Sequence, residues 1–102
     1  MYQFTTPRVI VKMPDSIRVA NITNGVFTFS QKNRNVLSKE DELWSLDTAE
    51  NKIIVQLSQE ETGSFAIGNL VMQIHFRIGA EVYATKEMET KVYKNLHQEV
   101  LD

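Results

Sequence analysis

The stretch "NLVMQIHFRI", residues 69 to 78, limits the fold more than any other part of the chain. Leu70, Met72, Ile74, Phe76 and Ile78 fall on one face, and Val71, Gln73, His75 and Arg77 on the other. Period two over ten residues is a strand with one buried face. The next run, "EVYATKEMETKVY" at 81 to 93, alternates as well, with Val82, Ala84, Met88 and Val92 on one side and Glu81, Thr85, Glu87, Glu89 and Lys91 on the other. The two runs read as a hairpin. If both apolar faces share a side, Ile78 pairs with Val82 and Gly79 to Glu81 form a three-residue loop. His75 then lies opposite Thr85, and Arg77 opposite Tyr83. Lys86 falls on the inner face, which is therefore expected to be open near the middle of the strand.

Shorter alternating runs precede the hairpin: "RVIVKM" at 8 to 13, "VFTFSQ" at 26 to 31, "NVLSK" at 35 to 39 and "KIIVQL" at 52 to 57. "QKNRN" at 31 to 35 reads as a turn, a short strand is expected around Trp44, and a turn follows at Asp47 to Asn51. Residues 16 to 25 admit two readings, a strand ending in an Asn24-Gly25 hairpin turn or a crossing between sheets. Six or seven short strands, turn signals every 8 to 12 residues and no long helical pattern predict an all-β fold. The expected architecture is an antiparallel β-sandwich of about seven strands. The helical hints are one turn at 58 to 63 and the tail "NLHQEVL", where Leu96 and Val100 could seat a turn against the sandwich.

The 102 residues suit one domain spanning residues 1 to 102, with 42% hydrophobic and 24% charged residues as in ordinary globular chains. Cysteine is absent, which excludes disulfides, thiol catalysis and thiolate metal sites. The start "MYQFTTPRVIVKMPD" lacks the pattern of a signal peptide, and no apolar run approaches the roughly 20 residues of a membrane span. No membrane partner is expected. Eleven basic residues stand against 13 acidic ones and are scattered, so a nucleic-acid partner is not expected either.

"LSQEETGSF" at 57 to 65 places two carboxylates side by side, Glu60 and Glu61. Ser58 followed three residues later by Glu61 is the pattern of a capping box, in which each side chain satisfies a free N–H at a helix start. Gly63 is then expected to end the turn in the left-handed conformation, and Phe65 to enter the core. Paired-carboxylate chemistry needs two carboxyls facing one gap, and neighbours on a turn diverge. The two histidines, His75 and His97, lie far apart in sequence without the convergent ligands of a metal site. No phosphate loop, nucleophile elbow or HExxH appears. No cofactor is expected, and no catalytic residue. The polar face of the hairpin, Gln73, His75, Arg77, Tyr83, Thr85 and Glu87, is either a solvated face or a contact surface, since Arg and Tyr are common interface anchors. Trp44, with Leu43 and Leu46, reads as core; exposed, it would point instead to carbohydrate or protein binding.

The order "GVFTFSQKNRNVLSKE", "NKIIVQLSQEETGSF" and "GNLVMQIHFRIGAEVYATKEMETKVYKNLHQEVL" resembles small proteins encoded among the tail and structural genes of phages and prophages of low-GC Gram-positive bacteria. Thr28 to Gln31, Val55 to Thr62 with Phe65, Met72 to Arg77, Ala84 with Thr85, and Val100 with Leu101 carry the resemblance. It implies a non-enzymatic, immunoglobulin-like sandwich of the tail or baseplate, acting in the virion, or in the host cytoplasm during assembly. Other phage structural proteins and further copies of itself would be its partners. A host-surface or carbohydrate-binding module is the alternative, and it rests on analogy between folds.

Overall fold

The computed structural model describes all 102 residues, Met1–Asp102. Strands form where alternation is strongest. β1 (Arg8–Lys12), β4 (Ser45–Asp47) and β5 (Lys52–Gln56) build a three-stranded sheet in the order β1-β5-β4. β2 (Asn24–Gln31), β3 (Arg34–Glu40), β6 (Gly68–Ile78), β7 (Glu81–Ala84) and β8 (Met88–Val92) build the second, in the order β3-β2-β6. β7 and β8 follow one another along the free edge of β6. Every strand-to-strand pairing is antiparallel, so the expected all-β sandwich is the fold observed. It has eight strands and one short helix, α1 (Gln59–Ser64).

The core lies between the sheets. Phe27 and Phe29 of β2, Ile53 and Val55 of β5, Leu70 and Ile74 of β6, and Phe65 after α1 are all fully or almost fully buried. The Phe27 and Phe29 rings stack at 4.9 Å, and Phe29 meets Phe65 at 5.9 Å. The alternation of β2 and β6 sends these residues inward together, because Phe27 pairs with Ile74 and Phe29 with Met72.

Residues 16 to 25 take the second of the two expected readings. They cross between the sheets through a 3-10 turn at Val19–Asn21, and Asn24 and Gly25 open β2. Gly25 serves a packing need, since a Cβ there would lie 2.6 Å from the Trp44 ring and 3.0 Å from the His75 carbonyl. Trp44 is 8% exposed and its indole N–H donates to the Lys39 carbonyl at 2.9 Å. Leu43 and Leu46 beside it are largely exposed. Gly25→Ala is expected to destabilise by about 1–3 kcal/mol through overpacking. It should also shift the tryptophan emission to the red, measured together with a thermal melt.

"QKNRN" forms the β2–β3 turn, with Lys32 and Asn33 at φ 52° and 62°, the pair of positive angles that a type I′ turn requires. The tail forms no helical turn against the sandwich. Leu96 is 94% exposed, and the segment is held by Gln59, whose side-chain amide accepts from the Leu101 N–H at 2.6 Å and donates to its carbonyl at 2.9 Å.

The hairpin departs from the three-residue loop. Ile78 pairs with Glu81, leaving a two-residue turn of Gly79 and Ala80, with Gly79 at φ 58° as the first position of a type II′ turn demands. One residue fewer in the loop reverses every side chain of β7. Val82 pairs with Arg77 on the outer face, and Tyr83 turns inward to stack on Phe76 at 5.4 Å. The phase is restored by a bulge. Gln73 and Ile74 of β6 face three residues, Thr85 to Glu87, and beyond it Met88 pairs with Met72 and Val92 with Gly68. Thr85 repairs the ladder at the bulge: its hydroxyl accepts from the Ile74 N–H at 3.0 Å, and its own N–H donates to the Ile74 carbonyl at 2.9 Å. Lys86 sits in this bulge, exposed, where the inner face opens.

Candidate functional site

The turn "LSQEETGSF" is built as a cap. The Ser58 hydroxyl accepts from the Glu61 N–H at 3.1 Å, and a Glu61 carboxylate oxygen accepts from the Ser58 N–H at 2.8 Å. The same carboxylate oxygen pairs with the Lys39 ammonium at 2.8 Å, and that ammonium also donates to the Gln56 carbonyl at 3.0 Å. Lys39 therefore reaches from the edge strand of one sheet to α1 and the end of the other, and closes that side of the sandwich. Burial alone would raise the Glu61 carboxyl, but the Lys39 ammonium and the Ser58 N–H outweigh it and hold the group below the usual carboxylate range. A depressed folded value means that Glu61 stabilises the fold above its unfolded pKa and loses this contribution as pH falls through the folded one. Glu61→Gln preserves the cap but not the charge. The melting temperatures of the two proteins should thus differ at neutral pH and draw together in acid, the difference starting to shrink near the ordinary glutamate value of about 4.3 and vanishing below the lowered folded one.

Gly63 does not end this helix in the left-handed conformation; the glycines with positive φ are Gly68 and Gly79. Gly63 lies inside α1, and the helix ends at Phe65 in extended geometry. A side chain at Gly63 would run into the Phe4 ring, so the glycine is required by packing. Thr62, fully buried, fastens the N-terminal segment to α1: its hydroxyl accepts from the Thr5 N–H at 3.0 Å and donates to the Thr5 carbonyl at 2.8 Å.

The expected contact surface divides in two. Gln73, His75 and Arg77 do share the exposed outer face of β6. Opposite His75 and Arg77 stand Ala84 and Val82, in place of Thr85 and Tyr83. Tyr83 belongs to the other face, 37% exposed against Phe76; Thr85 is spent on the bulge, and Glu87 is exposed beside it. His75 and Arg77 border a shallow pocket of about 400 Å³, shared with Val82 and with Glu40, Asp41 and Glu42. Asp41 is partly committed there, accepting from the Gly25 N–H at 3.2 Å. Nowhere do three His, Asp or Glu side chains gather in a way that could hold a metal ion. No helix is long and apolar enough to cross a membrane.

Two polar residues whose bonding role is not evident in the sequence hold the framework beneath these surfaces. Asn51, 2% exposed and at φ 57°, accepts from the Val19 N–H and donates to the carbonyls of Met13, Pro14 and Ile17 at 2.8 to 3.2 Å. Gln31 accepts from the Ala66 N–H at 2.9 Å and donates to its carbonyl at 2.8 Å. An Asn closing a turn before a strand is the signal for the first, because Asn tolerates left-handed backbone. Gln31 ends the apolar alternation of β2 on the buried side, and that position was the available sign.

A second surface lies on the side of the sandwich away from Lys39. Between β1 with the crossing that follows it and β7 with the bulge, the sheets part to form a groove of about 450 Å³. Met13, Ile17, Phe76, Tyr83 and Met88 line it, and Lys12 and Lys86 are its charged residues. Of the two aromatics that a carbohydrate platform could use, Trp44 is sealed in the core and Tyr83, 37% exposed, lies at the groove against Phe76. The chain matches no family model, and neither the curated proteins nor the solved structures contain a significant match to it.

Proposed function

We propose that this chain is a non-enzymatic structural protein of a phage or prophage particle, associated with the tail or baseplate and acting through assembly contacts. The observation that supports this reading is where the residues carrying the sequence resemblance sit. Gln31, Glu61 and Phe65 all lie at the seam where β2, β5 and β6 meet α1, and each is used in a hydrogen bond, a cap or the core. A motif that builds a seam belongs to a shared scaffold, whereas relatives that shared a reaction would keep residues lining a cleft. The outer face carrying Gln73, His75 and Arg77, with half-exposed Val82 at its margin, is the contact surface in this reading. It mixes polar groups, an arginine and a small apolar area, as non-obligate interfaces do.

The test is capture. The tagged chain, used as bait in a lysate from an induced prophage of the source strain, should retain tail or baseplate proteins identified by mass spectrometry, and its gene should lie among tail genes. Arg77→Glu should reduce that capture while leaving the melt unchanged. Capture of no virion protein, with unrelated genes on both sides, would overturn the proposal.

A further inference from the structure

We infer that this protein assembles head to tail, the segment after β8 of one copy, residues 95 to 102, lying in the groove between β1 and β7 of a second copy. Two features of the chain complement each other. The groove is apolar, includes two methionines that can adapt to an inserted side chain, and its only charged residues are Lys12 and Lys86. The segment 95 to 102 combines apolar and acidic residues, Leu96, Val100 and Leu101 with Glu99 and Asp102. Leu96 and Leu101 are 94% and 70% exposed on their own molecule, which buries neither. The protein's one ion pair is Lys39–Glu61, so the cations at the groove and the carboxylates of the tail have no opposite charge of their own.

The edges of the two sheets favour an extended occupant. β1 pairs with β5 alone, and the bonds from the Met13 N–H to Asn51 and from the Leu57 N–H to the Pro7 carbonyl set the odd residues of β1 toward β5. In an antiparallel ladder the backbone groups of Arg8, Ile10 and Lys12 then face the free edge beside the groove. The opposite rim, β7, is interrupted by the bulge and Lys86, which guard it against pairing. An added strand therefore has one open edge, β1, whose outward side chains Arg8 and Lys12 meet acidic residues favourably.

Geometry selects a second copy. Gln59 at the start of α1 holds Leu101 near the Arg8 end of β1, because α1 follows β5 and Gln56 pairs with Arg8. The groove lies at the Lys12 end, beside Val11, Met13 and Pro14. Tail and groove thus sit toward opposite ends of β1 in a molecule 45 Å long and 19 Å thick. Distinct patches that complement each other give a heterologous contact, which closes into a ring or continues as a filament. This inference stands on the groove and tail alone and does not require the phage reading.

Charge exchange tests it on the 102-residue chain. Light scattering after size exclusion should show apparent mass rising with concentration and falling with added salt. Lys12→Glu with Lys86→Glu, and separately Glu99→Lys with Asp102→Lys, alter exposed side chains; each double variant should keep its circular dichroism and weaken self-association at least tenfold. Mixed in equal amounts, the two should associate again, since each reversed groove then meets a reversed tail. A wild-type protein that is monomeric at millimolar concentration overturns the inference, as does association that neither double variant weakens. Monomeric wild type whose Met13 and Met88 methyl resonances move in the tail variant would place the tail in its own groove, and also overturns it.

Discussion

Asn51→Leu is expected to lower the free energy of unfolding by about 4 kcal/mol, the largest effect of any single polar substitution in this chain. The side chain is nearly isosteric, so the cost comes from the Val19 N–H and the carbonyls of Met13 and Ile17, which lose their partners, and from the strain of a leucine at φ 57°; the Pro14 carbonyl keeps the Ile17 N–H. A buried polar group that loses its partner costs about 1–3 kcal/mol, and the loss at three neighbouring groups is partly relieved by relaxation of the crossing. Asn51→Gly separates the backbone from the side chain. It keeps the left-handed conformation without strain but loses the same hydrogen bonds, so it should be destabilised by less than the leucine variant, the difference reporting the backbone strain. Asn51→Asp retains an acceptor for Val19 and turns a carboxylate toward three carbonyls, so its deficit should lessen as acid protonates it. Urea melts of the three variants, across pH for the last, are the measurement. If Asn51→Leu melted like the wild type, the crossing would not depend on this residue.

The second large effect belongs to Phe29. Phe29→Ala removes a fully buried ring that stacks on Phe27 and meets Phe65, and is expected to cost about 3–5 kcal/mol. A domain of this size has only about 5–15 kcal/mol of stability, so the loss is a large fraction of it and should lower the melting temperature by more than about 10 °C. The milder pair Phe29→Leu and Phe65→Leu leaves enough structure for a double-mutant cycle. The two rings should show a coupling of about 0.5–1.5 kcal/mol, the worth of an aromatic contact beyond its buried area. Additive losses would mean that Phe65 anchors α1 independently of β2.

The effects expected at Glu61 and Gly25 are smaller, and both cases show how local chemistry divides from packing. The capping box is legible in sequence because Ser58 and Glu61 are three residues apart and each side chain bonds to the other's backbone. Lys39 is not, since it arrives from another strand. Gly63 misled for a related reason. Glycine after a helical turn suggests a left-handed terminus, while here it clears space for Phe4, a residue far away in the chain.

The candidate surfaces divide in the same way. Alternation alone puts Gln73, His75 and Arg77 on one exposed face of β6, and the structure keeps them there. Their neighbours across the hairpin were misplaced because the alternation of residues 81 to 93 breaks at the bulge, and a period-two pattern carries no record of a slip. A two-residue turn at Gly79 and a bulge at Thr85 to Glu87 are compensating shifts, each reversing the faces of the strand residues beyond it.

The sequence by itself determined that the chain is an antiparallel β-sandwich, where most strands run, that Phe65 enters the core and that residues 58 to 63 form a capped turn. These depend on periodicity and on bonds spanning a few residues. Only the tertiary structure decided that 16 to 25 is a crossing held by Asn51, that Tyr83 faces inward, and that one side of the sandwich is clasped by Lys39 while the other opens into a groove. Those outcomes are set by contacts between residues tens of positions apart, whose energies depend on how the two sheets meet and leave no periodic trace in the chain.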